Sequence, residues 1–227
     1  MALVVVAAVA LAGCGGGGGG GSRGAGGNGR AALALTGYTS DQLKQALLAD
    51  VSGYQRVGEP DSGEYGTLKG IQNLGQLQRQ VVLDKPRCAN AAGAHVPVDK
   101  SAPAALTSFN RGDGQVVTET LMGMSDEAAQ RQLALRVPAE CAAFRTRVGT
   151  QWSDHRVTEA PGGTIGQGSR TVGVSTISGN STTKAWYVVL RARHSVATVS
   201  LFGPNATRDE AEQLARQAYD RAEHYLP

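Results

Sequence analysis

The sequence predicts an α+β fold, one domain of strands and helices in packed layers, reached through an N-terminal segment that lies outside it. Three observations carry this reading. The second half is a series of short strand-like runs divided by Gly, Ser, Asn and Pro clusters, and the last pair, AWYVVLRARHSVATVSLFG, reads as a hairpin closed near Arg193-His194-Ser195. After Thr207, apolar residues recur at helical spacing along one stripe. Residues 38–227, about 190 in number, are one domain's worth of chain and enough for a hydrophobic core.

The N-terminal segment comes first. Residues 1–13, MALVVVAAVALAG, are apolar throughout but fall short of the roughly 20 residues of a spanning helix, so they read as the h-region of a signal peptide. Leu11-Ala12-Gly13-Cys14 resembles the bacterial lipobox, after whose cleavage the cysteine becomes the lipidated first residue. The small residues admit a peptidase, and the Cys14 thiol is nucleophilic enough to form a thioether with diacylglycerol. Each buried methylene adds about 0.8 kcal/mol, so several acyl chains, palmitate among them, would hold the protein at a membrane. The run departs from the usual signal pattern in opening without Lys or Arg.

Residues 14–37 then form a tether. Seven glycines follow Cys14, and the stretch to about Ala31 is nearly all Gly with Ser, Ala, Asn, Arg23 and Arg30. Such a composition buries too little apolar surface to offset its ordering entropy. About 20 flexible residues span roughly 25 Å r.m.s. and about 70 Å when stretched. The expected location is the extracytoplasmic face of the cell membrane.

The formal net charge is +3, with Lys and Arg scattered among Asp and Glu, so a nucleic-acid partner is not indicated. With Cys14 assigned to lipid, an exported chain keeps an even pair, Cys88 and Cys141, which should form a disulfide. Closing that loop stabilises the fold by roughly 4 kcal/mol in the chain-entropy model.

Along the domain, Ser40 is the expected N-cap of a helix carrying Leu43, Ala46, Leu47 and Val51, stopped by Ser52-Gly53. Residues 54–57 suggest a short strand and 58–66 a loop with Pro60 and Asp61-Ser62-Gly63. Ile71, Leu74 and Leu77 fall three apart and suggest a helix, interrupted by Gly70 and Gly75. A short helix is expected from Pro86 through the Ala-rich stretch to Ala94. Residues 104–110 and 115–122 read as strands joined by Arg111-Gly112-Asp113-Gly114, whose Asp-Gly is a hairpin signal. Ser125 caps a helix with Asp126 and Glu127 in its first turn and Ala128, Ala129, Leu133 and Val137 inward. Pro138 interrupts it, and residues 139–147 carry Cys141 and Phe144 on a further turn.

Strands are expected over 156–159, 171–177, 185–193 and 196–202, with Trp186, Val188 and Leu190 on one face. Thr207 and Glu210 form a capping box for the last helix, whose stripe is Ala211, Leu214, Ala215, Ala218, Ala222 and Tyr225. This helix should lie across the sheet.

The order of these features resembles one family. A lipobox and glycine tether precede a helix ending in LLADVSGY, a cysteine before an Ala-rich turn, the block VVTETLMGMSDEAAQRQLALRVPAECAAF, and WYVVLRARHSVATVSLFG before an Ala-rich helix. Over residues 40–226 this is similar to the extracellular sensor domain of PknH-type actinobacterial kinases, which also occurs alone in exported lipoproteins. The resemblance implies a twisted antiparallel sheet packed against helices, with a cleft for a ligand. Members often carry two disulfides, whereas only Cys88 and Cys141 are available here. With no kinase domain in the sequence, any signal would pass to another protein.

Candidate chemistry is sparse. His95, His155, His194 and His224 are scattered, without the spacing of metal ligands, and no cofactor is expected. Gly166-Gln167-Gly168-Ser169 falls short of Gly-x-Ser-x-Gly and reads as a link between strands. Asp154-His155 beside Trp152 is the best constellation for catalysis, but neighbours on an extended chain point to opposite faces. Arg111-Gly112-Asp113 reads as a hairpin turn, and the acceptor patterns at Asn180 and Asn205 carry no weight in a bacterial lipoprotein. Tyr54, Tyr65 and Trp152 are candidates to line a cleft. Two functions stand: a non-enzymatic binding or sensor module for a small molecule, envelope fragment or protein partner, and an envelope hydrolase with a dispersed site. Converging polar side chains in a concave pocket would favour the second.

Overall fold

The structure is a computed structural model and describes residues 37–89, 91, 98–160 and 162–226. Cys14, the tether up to residue 36 and His95 lie outside the described residues. The expected α+β fold is present, with one antiparallel sheet of ten strands and helices packed on it. The helices are α1 (Ser40–Ala46), α2 (Lys69–Gln78), α3 (Asp126–Ala134) and α4 (Arg208–Tyr225). The first strands are β1 (Gln55–Arg56), β2 (Asp61–Glu64), β3 (Val82–Leu83), β4 (Pro103–Asn110) and β5 (Val116–Gly123). The rest are β6 (Ala143–Val148), β7 (Gln151–Glu159), β8 (Ser169–Ser178), β9 (Ser181–Ala192) and β10 (Ser195–Gly203). Their order across the sheet is β1-β4-β5-β10-β9-β8-β7-β6-β3, with β2 also on β4.

The two hairpins predicted from turn chemistry both form. Arg111 to Gly114 joins β4 to β5, with Gly114 at φ 82°, and His194 at φ 51° turns β9 into β10. Trp186, Val188 and Leu190 share a face as expected, and with Phe109, Val117, Leu121, Val199 and Leu201 they pack under α1 and α4. Each fully buried aliphatic side chain of this set contributes about 1.5–3 kcal/mol. The opposite face holds Met122, Met124, Val189 and Val196 against α2 and α3. A third cluster surrounds the Cys88–Cys141 disulfide, whose Cα atoms are 5.4 Å apart. The pairing expected of an exported chain is therefore present.

Several boundaries differ from expectation, each for a tertiary reason. Thr39, not Ser40, caps α1: its Oγ1 accepts the Gln42 N–H at 3.2 Å while Gln42 Oε1 accepts the Thr39 N–H at 2.9 Å. The helix stops at Ala46, and Leu47, Leu48 and Val51 stay buried on irregular backbone. Residues 58–66 contain β2, a strand without apolar alternation that backbone pairing to β4 holds in place. Residues 143–148 are β6 rather than a continued turn, and β7 begins at Gln151, five residues earlier than the apolar pattern indicates. The helix expected from Pro86 is a 3-10 turn, Pro86–Cys88; residues 90 and 92–97 lie outside the described residues. Tyr225 ends the predicted inward stripe but is 44% exposed, lying under the Arg221 guanidinium at 4.5 Å.

Candidate functional site

The early end of α1 creates a groove. An α-helix leaves its last carbonyls without intrahelical partners, and here side chains from three other elements take the loose groups. Arg221 of α4 donates to the carbonyls of Gln45, at 3.2 Å, and Leu47. Arg56 of β1 donates to the Ala49 carbonyl. From below, Glu119 of β5 accepts the Leu48 N–H through Oε2 at 2.7 Å. Segment 45–49 is thus held from three directions beside a cavity of about 570 Å³. Its walls carry both signs, Asp41 and Glu59 against Lys44, Arg56 and Arg221, over the apolar Leu47 and Leu48.

Glu119 is the unusual member. It is fully buried, and burial pushes its carboxyl up to about 7, against the opposing pull of the Leu48 N–H and the Arg221 charge. Oε1 has no hydrogen-bond partner among the described residues, and neither has Oγ1 of Thr107, its cross-strand neighbour. A carboxyl titrating near neutrality is a familiar acid-base group. This one is closed off from solvent, and its one hydrogen bond among the described residues runs to the backbone of segment 45–49.

The three aromatic cleft candidates are not brought together. Tyr54 stands just before β1, where its hydroxyl lies 2.8 Å from Glu210 and 2.9 Å from Gln115 Oε1, with the Arg111 guanidinium 4.7 Å from its ring. The single phenolic proton goes to the carboxylate, and burial together with Glu210 pushes the phenol's pKa up. Glu210 is thereby diverted: Thr207 still accepts its N–H at 3.3 Å, but its carboxylate serves Tyr54 and Arg111 instead of closing a capping box. Tyr65 packs into the cluster on the other face. Trp152 is on β7, five strands across from β4, at 37% exposure. None of the three lines the groove.

The catalytic candidates also separate. His155 stacks on Phe144 at 4.8 Å, between Oγ1 of Thr146 and Oγ1 of Thr176, and burial lowers its pKa. Asp154 points to the other face and pairs with Arg145 at 3.2 Å. Gly166-Gln167-Gly168-Ser169 leads into β8, with Ser169 Oγ accepting the Ile165 N–H. Arg111 and Asp113 pair with each other at 3.1 Å across their turn. No cluster of three metal-ligating side chains occurs among the described residues. No helix among them is long and apolar enough to cross a membrane.

The groove residues Arg221 and Arg56, and Glu119 buried beneath them, were not singled out by the sequence. One signal was present: Val117, Glu119 and Leu121 alternate in register, which puts a carboxylate on the inward face of β5.

No family model matches the chain, and no curated protein matches it. Among solved structures, an uncharacterized protein of Mycobacterium smegmatis, the Rv0999 ortholog, is 16% identical over 81% of this chain and 97% of that one, with a TM-score of 0.47. The extracellular domain of PknH from Mycobacterium tuberculosis is 14% identical over 82% of this chain and 97% of that one, with a TM-score of 0.56, and this chain has the fold of that extracellular domain.

Proposed function

We propose that the chain is a non-enzymatic binding domain, tethered by lipidated Cys14 to the extracytoplasmic face of the membrane, that holds a small molecule or envelope fragment in the groove beside α1. Residues 1–13 act as the signal peptide and 14–37 as the tether. The observation that carries the reading is the groove itself: Arg56 and Arg221 commit their donors to the carbonyls of segment 45–49, and the described residues lining it include no Ser, Thr, Cys or His to pair as nucleophile and base. Its volume, about 570 Å³, falls within the range of small-molecule sites, and its walls offer charges of both signs over an apolar floor. Such a surface suits a ligand carrying both an anionic and a cationic group. The likeness to the extracellular domain of PknH supports a sensor role, in which occupancy is passed to a protein partner.

The test uses the full chain expressed in an actinobacterial host. Native mass spectrometry of protein purified from membranes is expected to show a bound small mass that Arg56→Glu removes. Cys14→Ala is expected to shift the protein from the membrane fraction to the soluble one. An unliganded protein, or a Cys14→Ala variant that stays with the membrane, overturns the corresponding half of the proposal.

A further inference from the structure

The outer half of the sheet carries a second feature, separate from the groove. α4 packs on β9 and β10 and reaches β8, where Thr171 donates to Glu212 at 3.0 Å. Beyond that contact, the residues sharing a face with Trp186 run out from under the helix. Strand pairing sets Arg147 beside Trp152, Arg145 beside Asp154, and Arg156 in line with Lys184 through Ser175. Four cations therefore share one face with a single carboxylate. Asp154 takes Arg145. Arg147, Arg156 and Lys184 make no ion pair among the described residues.

Trp152 organises the cations. Its ring centroid is 4.7 Å from the Arg145 guanidinium and 5.6 Å from that of Arg147. A guanidinium stacked on an aromatic ring keeps its in-plane donors free for a carboxylate. Arg145 and Arg147 are about 7 Å apart along their strand, and Arg156 and Lys184, two strands apart, are about 10 Å apart, so the cations recur at intervals of about 7–10 Å.

Shape selects the occupant. A helix with its side chains is about 10–12 Å across, so α4 stands as a wall beside the strip and keeps a flat bilayer off the sheet. A peptide adding itself as a strand needs a free edge. At β6 that edge is taken by β3 and by Asp84, whose N–H donates to the Arg145 carbonyl at 3.1 Å and whose Oδ1 accepts the Arg145 N–H at 2.8 Å. A narrow chain with regularly spaced carboxylates, lying against an aromatic ring, satisfies both limits.

We propose that this strip binds a carboxylated glycan chain. The test is calorimetric titration of the full chain with an oligogalacturonate, its methyl-esterified form, poly-L-glutamate and phosphatidylglycerol vesicles. Saturable binding of oligogalacturonate is expected, at least about tenfold weaker after esterification. Arg147→Glu is expected to weaken it about tenfold. Lys184→Glu, on a different strand, should weaken it too, which separates loss of charge from local misfolding. Trp152→Ala should weaken binding where Trp152→Phe preserves most of it. Absence of saturable binding, equal affinity for poly-L-glutamate, attachment to vesicles that the same variants abolish, or indifference to all the variants would each overturn the proposal.

Discussion

Glu119 Oε2 accepts the backbone N–H of Leu48 at 2.7 Å, across 71 residues of sequence, and in doing so joins the core of the sheet to the wall of the groove. The bond needs an acceptor, which both protonation states provide, but the charged state also has to be accommodated in a site from which solvent is excluded. Glu119 therefore couples the titration of a buried carboxyl to the stability of the fold that holds segment 45–49.

The first prediction is a pH dependence. The ordinary carboxyl value is 4.5 and the folded value about 7. Between them the native state binds more protons than the unfolded chain. The contribution of Glu119 is fully favourable below pH 4.5, declines as pH rises to about 7, and is level above that; the swing is on the order of 3 kcal/mol. In Glu119→Gln the amide oxygen still accepts from Leu48 and its NH2 group can donate to Thr107. His155, whose pKa burial lowers, acts in the opposite sense below 6.5, so the informative quantity is the difference between variant and native protein. Thermal unfolding is expected to show Glu119→Gln gaining Tm relative to native protein at pH 8 and losing that gain at pH 4.5. A constant difference would contradict the coupling.

Arg221 should be the groove's mechanical anchor. Arg221→Ala leaves the Gln45 and Leu47 carbonyls without their donor and removes the charge that opposes the upward shift of Glu119. A cost of about 1–3 kcal/mol is expected, with amide hydrogen exchange accelerated at Leu48 and its neighbours. Exchange unchanged there would mean that the segment is held by burial of Leu47 and Leu48 alone.

What the sequence disclosed and what it withheld follow from how far each signal reaches. The β9–β10 hairpin, the Ser125 and Thr207 caps and the stripe of α4 from Ala211 to Ala222 are specified by residues within a few positions of one another, and each formed. β2 and β3 are short edge strands made by pairing to β4 and β6, so no local apolar pattern marks them. β7 extends to Gln151 through polar residues because its outer face is open to solvent. The groove is held by residues 56, 119 and 221, which only the folded chain brings together. Tyr54 and Trp152 were legible as cleft candidates, but nothing in the sequence indicated that most of the sheet separates them.

The disulfide offers a direct measure of how much the third cluster depends on covalent closure. Cys88 and Cys141 are both buried beside Phe144, Val157 and Val174. Reduction, or Cys88→Ala with Cys141→Ala, should destabilise the domain by about 2–4 kcal/mol. Peptide mapping without reduction should recover the two cysteines linked, and equal Tm values with and without reductant would show that the surrounding packing suffices.

A last prediction concerns Gly173, where the requirement is space rather than backbone freedom. A methyl group at this position would lie 2.6 Å from Trp186 Cζ3, 2.8 Å from Cη2 and 2.9 Å from Thr158 Oγ1. Trp186 is directly opposite on β9, so its ring lies across the glycine. The ring is rigid and packs against the main core, and cannot yield without disturbing it. Gly173→Ala should therefore cost about 1–3 kcal/mol. Trp186→Leu alone loses aromatic burial, but in combination it removes the obstacle to the methyl group. The double variant should then be more stable than the sum of the single effects by at least about 0.5 kcal/mol in denaturant unfolding. Strict additivity would place the cost of the alanine elsewhere on β8 and would sever the proposed dependence of one residue on the other.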